Sequence, residues 1–273
     1  MILSTYHSHT NYCDGNNTAE EMVKAAIRLG CREIGISSHG YSKYDVEWCI
    51  KSMDEMERYK EEILRLKEKY KDEIKVYLGI EYDYFCEFPT DDFDYVIGAV
   101  HTVVKDGVRL EVDSGNDQEQ RDQLQKYYGG DFLAYAKDYY ALVADLYRKT
   151  KCDIIAHFDL LSKYNEHEDF FSKNDSRYIK IASEACDELL KTPVTFELNT
   201  GAIHRGYRTE PYPADFILEK IKNAGRSVII NSDSHSTDTI TFWYDEAQSR
   251  LNSLGCTYYT SIEEVLTNRT ADK

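Results

Sequence analysis

The chain has 273 residues, with 33 Lys+Arg against 49 Asp+Glu and a formal charge of −16, a balance that speaks against a nucleic-acid binder held to phosphates by a basic face. Its apolar runs are only a few residues long, which excludes a membrane-spanning helix, and Met1-Ile2-Leu3-Ser4 lacks the charged start and apolar body of a signal peptide. Seven Cys without a Cys-x-x-Cys pair read as reduced core thiols, so the expectation is a soluble, cytoplasmic protein.

Along the chain a strand, a polar turn and an amphipathic helix recur. Ile2 to Tyr6 is the first strand, and Thr18-Ala19-Glu20-Glu21 opens a helix as a capping box that Gly30 closes. Glu33 to Ser37 is the second strand, followed by a long charged helix from about Val46 to Lys71 over Ile63, Leu64 and Leu66. Lys75 to Ile80 and Phe93 to Val100 are strands three and four, and Asp106-Gly107 within Val103 to Asp113 signals a hairpin. Ser114 to Gly130 shows no assignable period and has the length of a lid or insertion loop, before a helix from Phe132 to Arg148. Strands five to seven are Cys152 to Ala156, Val194 to Leu198 and Ser227 to Asn231. Helices fall at Arg177 to Leu190, Ala214 to Asn223 and Asp245 to Leu254, and Thr257 to Thr260 with Ser261 to Leu266 is a candidate final unit. With no linker, residues 1–273 read as one α/β domain whose seven or eight parallel strands specify a barrel.

The chemistry follows the strands. His7-Ser8-His9 with Asp14 comes after the first, His39 after the second, Glu81 after the third, His101 after the fourth, His157 after the fifth, and Asp233-Ser234-His235 after the seventh. Strand ends of a parallel barrel meet at one mouth, so these dispersed residues converge. Six imidazoles and three carboxylates in one basin need compensation, and divalent metal is the economical one. Their nitrogen and oxygen donors suit Zn, Fe or Mn, and nine ligands suit two or three ions per chain. A lone strand-end histidine is more often a packing residue; repetition after separate strands is what favours metal. His167 and His204 fall outside the pattern, and His167 reads as surface.

These signatures resemble the polymerase and histidinol phosphatase (PHP) superfamily of metallophosphoesterases. The matching segments are His7-Ser8-His9 with Asp14-Gly15, Ser38-His39, Gly79-Ile80-Glu81, Gly98-Ala99-Val100-His101, Ala156-His157-Phe158-Asp159 and Ser232-Asp233-Ser234-His235. Glu197-Leu198-Asn199-Thr200 and Pro211-Tyr212-Pro213 bring the likeness closer to its stand-alone histidinol-phosphate phosphatase branch. The resemblance implies a distorted seven-stranded (βα) TIM-like barrel with a trinuclear metal site at the carboxyl ends of the strands. His7, His9, Glu81 and Asp233 would hold one ion, Glu81 would bridge to a second held by His101 and His157, and Asp14, His39 and His235 would hold the third.

The activity this implies is hydrolysis of a small phosphorylated substrate, L-histidinol phosphate of histidine biosynthesis, by a metal-bridging hydroxide that attacks phosphorus. Asp233 or His235 is the candidate proton donor to the leaving alkoxide, and Glu81 bridges the ions. The family usually has Arg just beyond its His-x-Asp segment; here Lys163 stands in that region, without the bidentate fork of Arg, and Arg205 is the second phosphate candidate. A cationic leaving group calls for acids and aromatics, for which Tyr41, Tyr44 and Asp45 are candidates by position. Two other readings stay open: a PHP-type phosphoesterase for nucleotides or oligonucleotide ends, which the −16 charge disfavours, and a non-catalytic metal-binding domain. No membrane or nucleic-acid partner is expected, and oligomeric state is unreadable.

Overall fold

The computed structural model describes residues 4–44 and 47–271. The start Met1-Ile2-Leu3, and with it Ile2 and Leu3 of the expected first strand, lies outside the described residues, as do Asp45 and the expected helix start at Val46.

In chain order the strands are β1 (Ser4–Thr5), β2 (Glu33–Ile36), β3 (Lys75–Asp83), β4 (Tyr95–Ala99), β5 (Thr102–Lys105), β6 (Val108–Glu111), β7 (Ile154–Ile155), β8 (Thr195–Asn199), β9 (Val228–Asn231) and β10 (Tyr258–Tyr259). The helices are α1 (Ala19–Arg28), α2 (Met53–Lys69), α3 (Asp117–Tyr128), α4 (Phe132–Thr150), α5 (Ser176–Leu190), α6 (Gly201–His204), α7 (Asp215–Asn223), α8 (Tyr244–Leu254) and α9 (Ile262–Ala271). Eight strands pair in parallel in the order β1-β2-β3-β4-β7-β8-β9-β10, while β5 and β6 form a separate antiparallel hairpin. The expected barrel therefore has an eighth strand, the two-residue β10, paired with β9.

The sheet curls until its ends meet. Ser4 Oγ donates to the Thr260 carbonyl at 2.6 Å, and a parallel bridge joins Ser8 to Ser234. The His9 amide donates to the Ser234 carbonyl at 2.7 Å and the Ser234 amide to the His7 carbonyl at 3.1 Å. This closure draws the first and last histidine motifs into one place.

Two apolar cores result. The larger lies between sheet and helices, with Met22, Ile34, Tyr59, Leu78, Tyr140, Phe196 and Leu251 buried in it. The smaller fills the barrel interior with Tyr6, Tyr95, Ile97, Ile154, Ile229 and, from α9, Ile262 and Val265. Tyr95 crosses this interior and donates its hydroxyl to the Tyr6 carbonyl, immediately before His7. Gly35 and Gly79 make room for it: a Cβ would lie 2.1 Å from the Tyr95 hydroxyl oxygen at Gly35 and 2.2 Å from its ring carbon Cζ at Gly79. Two missing side chains thus admit the ring that floors the site.

Local signals worked where chain geometry is strict. Thr18 caps α1, its hydroxyl accepting from the Glu21 amide at 3.3 Å while Glu21 accepts from the Thr18 amide at 2.8 Å. Asp106 and Gly107 both adopt positive φ (50° and 78°), the conformation a two-residue hairpin turn requires. Two expectations need correction. Ser114 to Gly130 is no loop: Asn116 caps α3, and Gly129 ends it in the left-handed region. Helix α2 begins at Met53, capped by Ser52: the preceding Glu47 to Cys49 form a turn and bend, and Cys49 and Ile50 are buried rather than wound into the helix. No helix among the described residues is long and apolar enough to cross a membrane.

Candidate metal centre

The expected histidines and Asp233 stand at or just past the carboxyl ends of the parallel strands, while Glu81 lies inside β3, paired with Ile97 of β4, and Asp14 lies in the turn after His9. The β2–β3 ladder resumes at a bridge between His39 and Glu81, with the Gly40 amide donating to the Glu81 carbonyl at 2.8 Å. Asp233, after β9, and His157, after β7, have φ of 50° and 20°, backbone strain that aims their side chains back into the mouth.

Glu81 is the hub. Its Oε2 lies 2.8 Å from His39 Nδ1, 3.2 Å from His7 Nε2 and 3.5 Å from His9 Nε2; its Oε1 lies 3.1 Å from His157 Nε2 and 3.4 Å from His101 Nε2. Asp233 Oδ1 is 3.2 Å from His9 Nε2 and 3.7 Å from His7 Nε2 and His235 Nδ1. Asp14 closes the far side, 3.2 Å from His235 Nε2 and 3.8 Å from His39 Nε2. All nine expected residues are therefore brought together.

The donor atoms sort into three groups, each within 4.8 Å: His9, Asp14, His39 and His235; His7, His9 and Asp233; and His39, Glu81 and His101. The first contains the expected third set, the second the expected first set without Glu81. In the last, His39 joins Glu81 and His101, with His157 attached through Glu81 Oε1.

Electrostatics poise these groups for cations. Burial disfavours ionised Glu81, but His39, His7 and His101 outweigh it and hold the carboxyl well below its ordinary range. Asp233 is likewise held low against burial, by Arg205 and His7. Burial and the neighbouring His235 and His39 push His9 down to about 3, so that its imidazole is neutral and a competent ligand. His7 is raised despite burial, by Glu197, Glu81 and Asp233. Cys13, whose Sγ is 3.5 Å from His9 Nδ1, is no thiolate donor: burial and then Asp14 push its thiol up to about 12.

Do these residues fit a metal? His7 Nε2, His9 Nε2 and Glu81 Oε2 are buried, face one another and have no hydrogen-bond partner. Unpaired buried polar atoms are costly, and a divalent cation satisfies all three at once. The donors are imidazole and carboxylate, the set that suits Zn, Fe or Mn.

Sequence reasoning quoted Glu197 as a signature without giving it a role. It is fully buried, accepts from the His157 amide at 2.8 Å, and its Oε2 lies 2.9 Å from His7 Nδ1. Asn199 and Asn231 donate to its two oxygens at 2.7 and 3.0 Å. Asp83 plays the matching part for His101, accepting from its amide at 3.0 Å and lying 3.4 Å from its Nδ1. A carboxylate inside an apolar strand run was the available signal for both.

Beside the centre opens a cleft of about 290 Å³, lined by Lys163, Arg205, Tyr207, Asp113 and His204 as well as ligands. Arg205 Nη2 is 3.0 Å from Asp233 Oδ2, and burial fails to discharge it because Asp233 stabilises the cation. Lys163 follows a single 3-10 turn, Leu160–Ser162, and pairs with Asp113. Tyr41 packs against the apolar core and is not among the described residues lining the cleft; Tyr44 is exposed beneath the Arg109 guanidinium, 4.3 Å from its ring centroid. The aromatic beside the ligands is Trp48, edge-on to His39 at 4.7 Å and to His101 at 5.1 Å. His204, left outside the pattern, stands at the cleft against Phe242, while His167 is exposed as expected.

Comparison with known proteins agrees with this geometry. A Schizosaccharomyces pombe protein named probable histidinol-phosphatase is 24% identical over 285 residues, covering 94% of this chain and 89% of its own. A solved Listeria monocytogenes chain superposes with a TM-score of 0.77 at 20% identity, covering 89% of this chain and 99% of its own. The structure of histidinol phosphate phosphatase from Lactococcus lactis, complexed with zinc, L-histidinol and phosphate, superposes with a TM-score of 0.72 at 21% identity, over 94% of this chain and 95% of that one. The model of the PHP domain matches residues 5–201, well over half of the sequence and the stretch from His7 through Glu197: the chain belongs to the PHP domain family.

Proposed function

We propose that this protein is a metal-dependent phosphomonoesterase whose substrate is L-histidinol phosphate. The observation that carries the reading is the gathering of nine imidazole and carboxylate side chains, with Glu81 in contact with five of the histidines, beside a cleft that also holds Arg205 and Lys163. His7, His9, Glu81 and Asp233, then His101 and His157 with Glu81, then Asp14, His39 and His235 would hold two or three divalent ions. Bound there, such ions activate water for attack and neutralise phosphoryl oxygens.

The chain's own groups do the rest. Arg205 and Lys163 bind the phosphoryl oxygens and orient the ester, Arg205 from the Asp233 side. Asp233, held well below its ordinary range, is an anion and a poor acid. His235 is the remaining candidate donor to the leaving oxygen, through the ring nitrogen that does not hold an ion: its Nε2 lies 3.2 Å from Asp14 and its Nδ1 3.0 Å from the Asp233 carbonyl. The substrate follows from the relatives, one of which carries L-histidinol and phosphate, the two products of this hydrolysis.

Phosphate release tests the reading. The metal-loaded protein should hydrolyse L-histidinol phosphate, lose that activity on chelation and regain it with Zn²⁺ or Mn²⁺. Hydrolysis of nucleotides with L-histidinol phosphate left intact would show a different PHP phosphoesterase. No phosphate release from any ester by metal-loaded protein would leave a metal-binding domain.

A further inference from the structure

Asp113 divides the space beside the metal ligands. It lines both the main cleft and an adjoining hollow of about 150 Å³, bounded also by Asp14, His39, Trp48, His101 and Glu111. Oδ1 of Asp113 is paired with Lys163 Nζ, and the two differ in exposure: the lysine side chain is 8% exposed, the aspartate 37%.

The pair is held from both sides. Lys163 Nζ lies 4.3 Å from the Tyr207 ring centroid and 5.1 Å from that of Tyr164. Tyr164 donates its hydroxyl to the Ser114 carbonyl, and the Val112 amide donates to the His101 carbonyl at 2.8 Å. Asp113 also supports the positive charge of Arg205, after Asp233. Asp113 is thus the resting counter-ion of Lys163 and adds to the negative field that Asp233, ion-paired at 3.0 Å, sets at Arg205.

A phosphoryl dianion entering that cleft competes with Asp113 for Lys163. If Lys163 turns to the dianion, Asp113 is left as an unpaired anion close to a second anion, an arrangement that costs free energy unless a cation replaces the lysine. An ester that brings its own cation supplies it. Esters with neutral or anionic leaving groups leave Asp113 unpaired and are rejected by the same charge.

We infer that Asp113 determines specificity: it releases Lys163 to the phosphoryl group and accepts in exchange the cationic group at the other end of the substrate, with Trp48 as the aromatic wall of that subsite. The inference rests on the phosphomonoesterase reading and adds to it the means by which an amino-bearing ester is chosen.

The experiment compares L-histidinol phosphate with p-nitrophenyl phosphate, which has no cation, on metal-loaded wild type, Asp113→Asn, Lys163→Met and the double variant. Asp113→Asn should lower kcat/KM for L-histidinol phosphate by about tenfold or more, chiefly through KM, and raise it severalfold for p-nitrophenyl phosphate. Lys163→Met should lower both. The double variant, which leaves no unpaired buried charge, should keep the loss on L-histidinol phosphate and so separates recognition from misfolding. Equal losses of Asp113→Asn on both substrates, or no change on either, overturn the inference. If the wild type cleaves p-nitrophenyl phosphate and leaves L-histidinol phosphate intact, the substrate assignment fails by itself. Ethanolamine phosphate against ethyl phosphate then reads Asp113 separately, and absence of a preference for the amine overturns its role.

Discussion

Glu197 Oε2 lies 2.9 Å from Nδ1 of His7, at the centre of the barrel with both side chains fully buried. The contact fixes which His7 nitrogen is free, since a proton on Nδ1 donated to Glu197 leaves Nε2 facing Glu81 and Asp233. Carboxylates that orient ligand imidazoles typically account for 10–100-fold in metal affinity. Glu197→Gln should therefore weaken metal binding by about that factor while the nine ligands stay in place, measured by competition with a chromophoric chelator. Unaltered affinity would show that the barrel alone orients His7.

The floor of the site makes a prediction about stability. A methyl group at Gly79 would lie 2.2 Å from a carbon of the buried Tyr95 ring, which has no open space to move into. Gly79→Ala should cost about 1–3 kcal/mol, seen as a lower urea midpoint with an unchanged slope. Because Tyr95 also bonds to the Tyr6 carbonyl, metal affinity should fall with it.

The capping box supplies the contrasting case. Thr18 is exposed, and its hydroxyl bonds to Glu21 in the first turn of α1 rather than to an expected ligand. Loss of its hydroxyl removes the cap on the Glu21 amide, so Thr18→Ala should cost about 1 kcal/mol in chemical denaturation and leave phosphate release unaltered.

Acidity should act in opposite senses on the stripped and loaded proteins. In the metal-free chain burial lowers, but carboxylates raise, His7, His39, His101 and His235; their contribution to stability is full below the unfolded value of about 6.5 and lost as pH rises through the folded values. Asp14, Glu81 and Asp233 are depressed, so their contribution is present above about 4 and lost as pH falls. His9, lowered to about 3, works against the other imidazoles below about 6.5. The stripped protein should thus have its highest Tm at mildly acid pH and lose stability toward pH 9. Ions require deprotonated ligands, so the added Tm on loading should grow with pH. Melting curves from pH 4 to 9 with chelator and with Zn²⁺ measure both; parallel profiles would contradict the ligand assignment.

What could be read without coordinates divides along physical lines. The strand-end histidines were legible because parallel strands separated by helices dictate where their carboxyl ends meet. Thr18 with Glu21 and Asp106 with Gly107 were legible because caps and two-residue turns admit few residue types. Helix α3 was not: Gln120 is its one buried residue among 117–128, so no apolar stripe announces it. Strand β10, two half-buried tyrosines, falls inside the candidate unit Thr257 to Thr260, but it is too short for a period to fix it. Trp48 and Asp113 reach the centre from loops, and no local rule ties a loop side chain to a cleft formed by distant strands.

The most direct test is metal content by elemental analysis of protein purified without chelator, with phosphate release from L-histidinol phosphate followed on the same samples. Two or three ions per chain, reduced in His101→Ala together with activity, is the expected result. Absence of bound metal in an active protein, or full activity in His101→Ala, would contradict the account.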